Sequence, residues 1–217
     1  MDERQVVAID FETYYDADCS IRGNTAHNYV RHPKFEAFLV SIYAPNEFDY
    51  VGHPKDFDWS QLDGRTLIAH NAQFEEAVLD WLIFVGTVAL INYKLHCTAD
   101  MCTYLQPPRS LSGAVYATFG KTLDKTVRDN FKGMRWGDIV AKGWDKEVLD
   151  YALDDSIWCW KLWEKHSENY PENERRLSQL TRDMGKNGLC LNEEKLNEGI
   201  DTLEKIVFDS ETSLPWT

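Results

Sequence analysis

Five residues of this chain have the types and spacing to do chemistry: Asp10 and Glu12 in VVAIDFET, Glu75 in LIAHNAQFEEAVL, and Tyr151 with Asp155 in LDYALDDSIW. Four carboxylates brought to one point offer hard oxygen donors for two divalent cations. Two such ions about 3.5–4 Å apart are the usual apparatus for displacement at a phosphodiester. The pattern therefore points to metal-dependent phosphodiester hydrolysis.

Each group must be positioned by an element, and each has a blander explanation. Asp10 and Glu12 close an apolar, β-branched run that reads as a buried strand, VVAI, ending at Asp10. Residues i and i+2 of a strand share a face, so both acids can reach one metal ion. An acidic pair leaving a strand into solvent is the alternative. The second group offers Glu75 or Glu76 in the first turn of a helix, where the helix dipole favours a carboxylate. Phe74 would anchor Glu75, although ordinary N-terminal helix acidity accounts for either residue. Tyr151 and Asp155 are four apart on one helix and share a face. The phenol can then hydrogen-bond a water beside a metal; a core Tyr with an exposed Asp is the alternative. Asp154 points about 100° away around the helix.

The remaining pattern supplies the scaffold. Residues 36–43 (EAFLVSIY), FDYVG, TLIAH and KLHCT read as further strands. Asn71 is placed to cap the helix AQFEEAVLDWLIF, or to reach a metal-bound water or a nucleic-acid strand. After Pro107 and Pro108 the chain turns helical: Ser110 can cap SLSGAVYATFG, which stops at Gly120, and Asp145 can cap KEVLDYALDDSIWCWKLWEKH. Strands early, interleaved with and followed by helices, give an α/β fold with a mixed sheet. Beyond Pro171 the chain reads as two amphipathic helices around a Gly-containing turn. No internal repeat or low-complexity segment interrupts it.

Bulk composition narrows the function classes. With 217 residues, 43% hydrophobic, and eight Trp, ten Tyr and ten Phe, the chain can fill a sizeable core. No apolar run reaches the roughly 18 residues of a membrane helix, and MDERQ lacks a signal peptide's basic start and apolar body. Five Cys without a CxxC pair fit free thiols in a reducing cytoplasm. A net charge of −13 disfavours life by non-specific DNA affinity, which needs Lys and Arg. Against that background one basic stretch stands out: Lys121, Lys125, Arg128, Lys132 and Arg135 in KTLDKTVRDNFKGMR. A solvated face is its default reading and a groove for a phosphate backbone the functional one. His70 suits packing or hydrogen bonding better than Mg²⁺ or Mn²⁺ ligation. Trp158, Trp160 and Trp163 suit helix packing better than base stacking.

Taken together, IDFET, HNAQFE and YALDD resemble the D-x-E, H-N-x-x-F-D and Y-x-x-x-D motifs of the 3′–5′ exonuclease domain of family A DNA polymerases, in the tyrosine (DEDDy) subclass of the DEDD superfamily. Residues 96–133 look like the segment between its second and third motifs. Residues 184–196, MGKNGLCLNEEKL, resemble the pattern where the polymerase half begins, and the style is phage-type. The resemblance implies a ribonuclease H-like domain over residues 1–170. Residues 171–217 would be the helical start of a truncated polymerase region, covalently part of a larger polymerase. It implies two divalent ions, Mg²⁺ or Mn²⁺. Asp10 would bridge both, Glu12 and Asp155 would hold the first, and Glu75 would support the second, through water. Tyr151 and Glu12 would orient the attacking water. The substrate implied is a single-stranded or frayed DNA 3′ end and the product a nucleoside 5′-monophosphate, with no membrane partner. One departure stands in the second motif, where Glu75 replaces the family's usual Asp. A ribonuclease D-like exoribonuclease using the same motifs is the second expectation, and a catalytically degenerate domain that positions DNA is the third.

Overall fold

The computed structural model describes residues 6–124 and 126–214. Five strands form one mixed sheet in the order β3-β2-β1-β4-β5: β1 (Val6–Thr13), β2 (Ala37–Ala44), β3 (Phe48–Gly52), β4 (Thr66–Ala69) and β5 (Lys94–Cys97). β1, β2 and β3 pair antiparallel, whereas β4 and β5 join on the other side of β1 as parallel strands. The parallel half needs crossovers, and α2 (Ala72–Phe84) supplies the one between β4 and β5.

Alternation along β1 sorts its side chains between two cores. Val7, Ile9 and Phe11 enter the cluster that contains Ala77, Val78, Leu79 and Leu82 of α2. Val6 and Ala8 enter the opposite cluster, built with α3 (Thr98–Leu105), α4 (Leu111–Phe119) and α7 (Asp145–His166). Asp10 and Glu12 continue the even-numbered series and so belong to the α7 face. A third cluster at the sheet end joins Phe38 and Leu39 to α5 (Thr126–Asn130), α6 (Trp136–Ala141) and the start of α7 through Val127, Phe131, Ile139 and Val148.

Several boundaries differ from expectation for local reasons. β1 does not end at Asp10; it runs to Thr13, because β2 keeps pairing with it, with a register shift between Glu12 and Thr13. Asn71 does not cap α2 with its side chain, since its backbone is left-handed, with φ 79°. Asp145 opens α7 as its first residue, and Trp144 sits at the cap position. Ser110 does cap α4, its Oγ accepting from Gly113 N at 3.3 Å, and Gly120 closes that helix with φ 69°. The short α1 (Ala26–Tyr29), α3, α5 and α6 had no sequence signal strong enough to separate them from loop. Trp160 and Trp163 are buried, as helix packing required.

The compact unit runs to Arg182 rather than to the expected boundary at 170. The reason lies in α8 (Glu172–Asn187), whose Arg182 and Ser178 bond back to the strands and helices before them. The second unit begins at Asp183. It holds the last turn of α8, a turn with Gly188 at φ 65°, and α9 (Glu193–Ser213), capped by Asn192. Leu196, Ile200, Leu203 and Val207 of α9 are all exposed. No helix among the described residues is long and apolar enough to cross a membrane. The four Cys of the first unit are buried free thiols and Cys190 is exposed.

His96 on β5 gives the fold a pH dependence. Its ring stacks on Trp163 at 5.1 Å between centroids. Burial, then the charges of Arg175, Arg182 and Lys94, pull its pKa down from 6.5 to about 4. Between those values the unfolded chain binds the proton and the folded chain does not. Stability is therefore full above the unfolded value and falls as pH drops through this window, by about 3 kcal/mol at most. His96→Phe keeps a ring against Trp163 and removes the titration. Its loss of stability between pH 7 and pH 4.5, read by urea unfolding, should be smaller than that of the wild type. Equal losses would refute the assignment.

Candidate active site

A single cavity of about 310 Å³ is lined by Asp10, Glu12, Glu75, Tyr151 and Asp155, and also by Asn71 and Arg128. The five residues expected to do the chemistry thus meet, although they come from three elements far apart in sequence. β1 contributes Asp10 and Glu12, and α7 contributes Tyr151 and Asp155 from the same side of the sheet. Glu12 and Tyr151 are buried and Asp10 and Asp155 half-buried, whereas Asp154 is exposed on another face of α7.

Two buried hydroxyls hold α7 in register with β1. Ser156 Oγ lies 2.6 Å from Ser41 Oγ and donates to Ser41 O at 3.2 Å. Ser41 is the β2 partner of Asp10. The residue beside Asp155 is therefore tied to the residue opposite Asp10. No sequence motif marks this pair, because one Ser in an apolar strand and one on a helix carry no sign that they are partners.

Tyr151 stays a neutral phenol. Burial first, then the charges of Asp155, Glu12 and Asp10, hold its pKa far above the ordinary value, and hydrogen bonding to Asp155 adds to the rise. The four-residue spacing thus sets phenol beside carboxylate. Tyr151 can donate a hydrogen bond in the cavity but cannot act as a base at neutral pH.

Glu75 is placed differently. Its Oε2 accepts the backbone N–H of Phe11 at 2.9 Å, and the side chain is only 4% exposed. Burial and then the Asp10 charge push its pKa well above the usual carboxylate range, against the lowering effect of that N–H. Glu76, the competing candidate, points elsewhere: it pairs with Arg182 at 3.1 Å.

The rim carries polar groups from the turn between β4 and α2 and from the start of α4. Asn71 is exposed, in its left-handed conformation, and its side chain is not spent on a cap. His70 is hydrogen-bonded rather than packed alone, with Nδ1 3.0 Å from Thr98 Oγ1 and Nε2 2.8 Å from Arg109 O. Ser110, Leu111 and Ser112, at the N-terminus of α4, line the same cavity.

The basic stretch does not form one track into the cavity. Arg128 alone of its described members lines it. Burial works against the Arg128 charge, but the acidic groups facing it, Glu12 foremost, raise its pKa overall. Tyr15 holds that segment, donating from its hydroxyl to Arg128 O at 2.7 Å. Lys121 and Lys132 are exposed away from the cavity. Arg135 is drawn into an ion pair with Glu36 and lies over the Tyr14 ring. Lys125 falls outside the described residues.

Asp10, Glu12 and Asp155 fit a hard divalent cation by donor type, all oxygen and all lining one cavity. Among the described residues no three His, Cys, Asp or Glu side chains are gathered closely enough to enclose an ion. Glu75 fits least, because one of its oxygens is committed to Phe11 N.

No protein-family model matches the chain, and no curated protein matches it. Solved structures do match. The fold is ribonuclease H-like, a mixed five-stranded sheet flanked by helices. NrnC from Brucella melitensis, solved with bound Mg²⁺, aligns at 15% identity over 85% of this chain and 84% of its own, with a TM-score of 0.53. RNase D from Escherichia coli, an exoribonuclease involved in structured RNA processing, aligns at 16% over 85% of this chain, with a TM-score of 0.55. The catalytic core of RRP6 from Trypanosoma brucei aligns at 16% over 84%, with a TM-score of 0.57. This chain spans 46% of the RNase D and RRP6 chains.

Proposed function

We propose that the protein is a metal-dependent 3′–5′ exonuclease that removes nucleoside 5′-monophosphates from single-stranded ends. The observation that carries this is the meeting of Asp10 and Glu12 from β1 with Tyr151 and Asp155 from α7 on one cavity. Asp10, Glu12 and Asp155 would hold the divalent ions, Mg²⁺ or Mn²⁺. When bound, such ions polarise the phosphoryl group and lower the pKa of a coordinated water.

The chain's own groups do the rest. The Tyr151 phenol donates toward the carboxylate beside it and orients the nucleophile without taking its proton. Arg128 presents a permanent cation to the phosphate, and the positive end of the α4 dipole, at Ser110, Leu111 and Ser112, lines the same cavity. The cavity is at the small end of ligand pockets, which suits a terminal nucleotide and excludes a duplex.

Two readings of the substrate remain distinct. The RNA reading has support from the fold neighbours: RNase D is an exoribonuclease, and NrnC was solved bound to pGG. The DNA-proofreading reading, with a polymerase region following, rests on the motif resemblance and the 184–196 pattern. A degenerate domain is the third reading, and Asp10, Glu12, Tyr151 and Asp155 lining one cavity weigh against it.

One assay tests all three. 5′-labelled single-stranded DNA and RNA of equal sequence are incubated with Mg²⁺ or Mn²⁺, with and without EDTA. A ladder from the 3′ end, lost in EDTA and blocked by a 3′-phosphate, is the expected result. Faster RNA trimming supports the ribonuclease D-like reading and faster DNA trimming the proofreading one. Internal nicks, metal-independent cutting or no cutting would overturn the proposal.

A further inference from the structure

β1 outruns its parallel neighbour. It pairs with β4 only through Val6, Val7 and Ala8, and β4 itself ends at Ala69. From Ile9 onward β1 has a ladder partner on one side alone, β2. Backbone N–H groups on the other side, in a buried segment, need partners from elsewhere, and an unpaired one costs about 1–3 kcal/mol. The Phe11 N–H finds its partner in Glu75, 64 residues later.

Phe11 stands between Asp10 and Glu12, so whatever fixes its peptide fixes the direction of both acids. Glu75 comes to the cavity that they line from the other face of β1. α2 packs on the face of β1 that carries Val7, Ile9 and Phe11, whereas Asp10 and Glu12 belong to the α7 face. Glu75 reaches past the end of β4 to the strand's edge. An Asp at this position would fall about 1.5 Å short of the Phe11 N–H, one C–C bond.

We infer that Glu75 is a positioning residue and not a metal ligand: its carboxyl stands in for the missing β-ladder partner of Phe11 and so aims Asp10 and Glu12 into the cavity. This rests on the exonuclease reading for its consequence, and it reverses the order of variants that a ligand role predicts. Gln keeps an acceptor oxygen at the same reach but gives up the negative charge. Asp keeps the charge and loses the reach.

The test compares Glu75→Gln, Glu75→Asp and Glu75→Ala with the wild type in three measurements: Mn²⁺ stoichiometry and affinity by calorimetry, exchange protection of the Phe11 amide, and kcat against KM on the single-stranded substrate. Glu75→Gln should bind the same number of Mn²⁺ ions, keep Phe11 protected, and lose about fivefold in kcat, the difference between a charged and a neutral acceptor. Glu75→Asp and Glu75→Ala should expose the Phe11 amide and lose about 10²-fold, mainly in kcat, as misaimed catalytic groups do. Loss of a Mn²⁺ ion in Glu75→Gln, or Glu75→Asp outperforming Glu75→Gln, would overturn the inference. Asp10→Ala separates the two levels. If it binds Mn²⁺ as the wild type does, the exonuclease reading fails, whatever Glu75 does to Phe11.

Discussion

Asp10→Ala and Asp155→Ala should each lower the rate of 3′-end trimming by roughly 10³-fold or more, because each deletes an oxygen donor worth several kcal/mol of transition-state stabilisation. Neither should harm the fold. Both side chains line the cavity without entering a hydrophobic cluster. Removing one member of a like-charged group relieves repulsion, so the unfolding temperature without metal should hold or rise. Tyr151→Phe should lose only about 10–10²-fold, the value of one hydrogen bond to a charged group. Asp154→Ala is the internal control. It sits next to Asp155 on the exposed face of α7 and should be nearly silent. Equal losses for Asp154→Ala and Asp155→Ala would sink the assignment of α7's catalytic face.

The largest effect on stability should come from Arg182→Ala, at about 3–5 kcal/mol. The Arg182 side chain is 4% exposed. Its Nε donates to Glu76 Oε2 at 3.1 Å, its Nη1 to Ser178 Oγ at 2.9 Å and its Nη2 to Leu95 O at 2.7 Å. Truncation leaves a mostly buried carboxylate without its cation and a strand carbonyl without a donor. Replacing both charges at once, Arg182→Met with Glu76→Leu, should recover most of the loss, since a buried ion pair gains little over apolar packing of similar volume. Chemical denaturation measures both. A loss under 1 kcal/mol for Arg182→Ala would show that the pair carries no such role.

What could be read in the sequence was what local geometry dictates. Asp10 and Glu12 share a face because strands alternate, and Tyr151 and Asp155 share one because helices repeat every three to four residues. Both pairs line the cavity as their spacing required. What could not be read depended on where separate elements stop relative to one another. Glu75 reads as a metal group from its motif, and that position says nothing of β4 ending before β1 does or of the Phe11 N–H that its carboxyl meets. Arg135 belonged to a basic stretch until Glu36, 99 residues away, drew it aside. Helix α3 escaped notice because it starts at Thr98 with no loop after β5, its first turn capped by the Cys97 thiol rather than by a usual capping residue. Ser41 and Ser156 are ordinary residues until the fold brings their hydroxyls together.

Arg182 also bears on how small a working piece of this protein can be. β5 is an edge strand, and an uncovered edge is a template on which other chains add strands of their own. Arg182 occupies the Leu95 carbonyl, midway along that edge. Every group assigned to the chemistry precedes residue 156, so a chain cut at residue 171 would keep all of it. It would also bare β5 and should self-associate. The shortest catalytic fragment and the shortest well-behaved one are therefore different lengths, separated by the first three turns of α8.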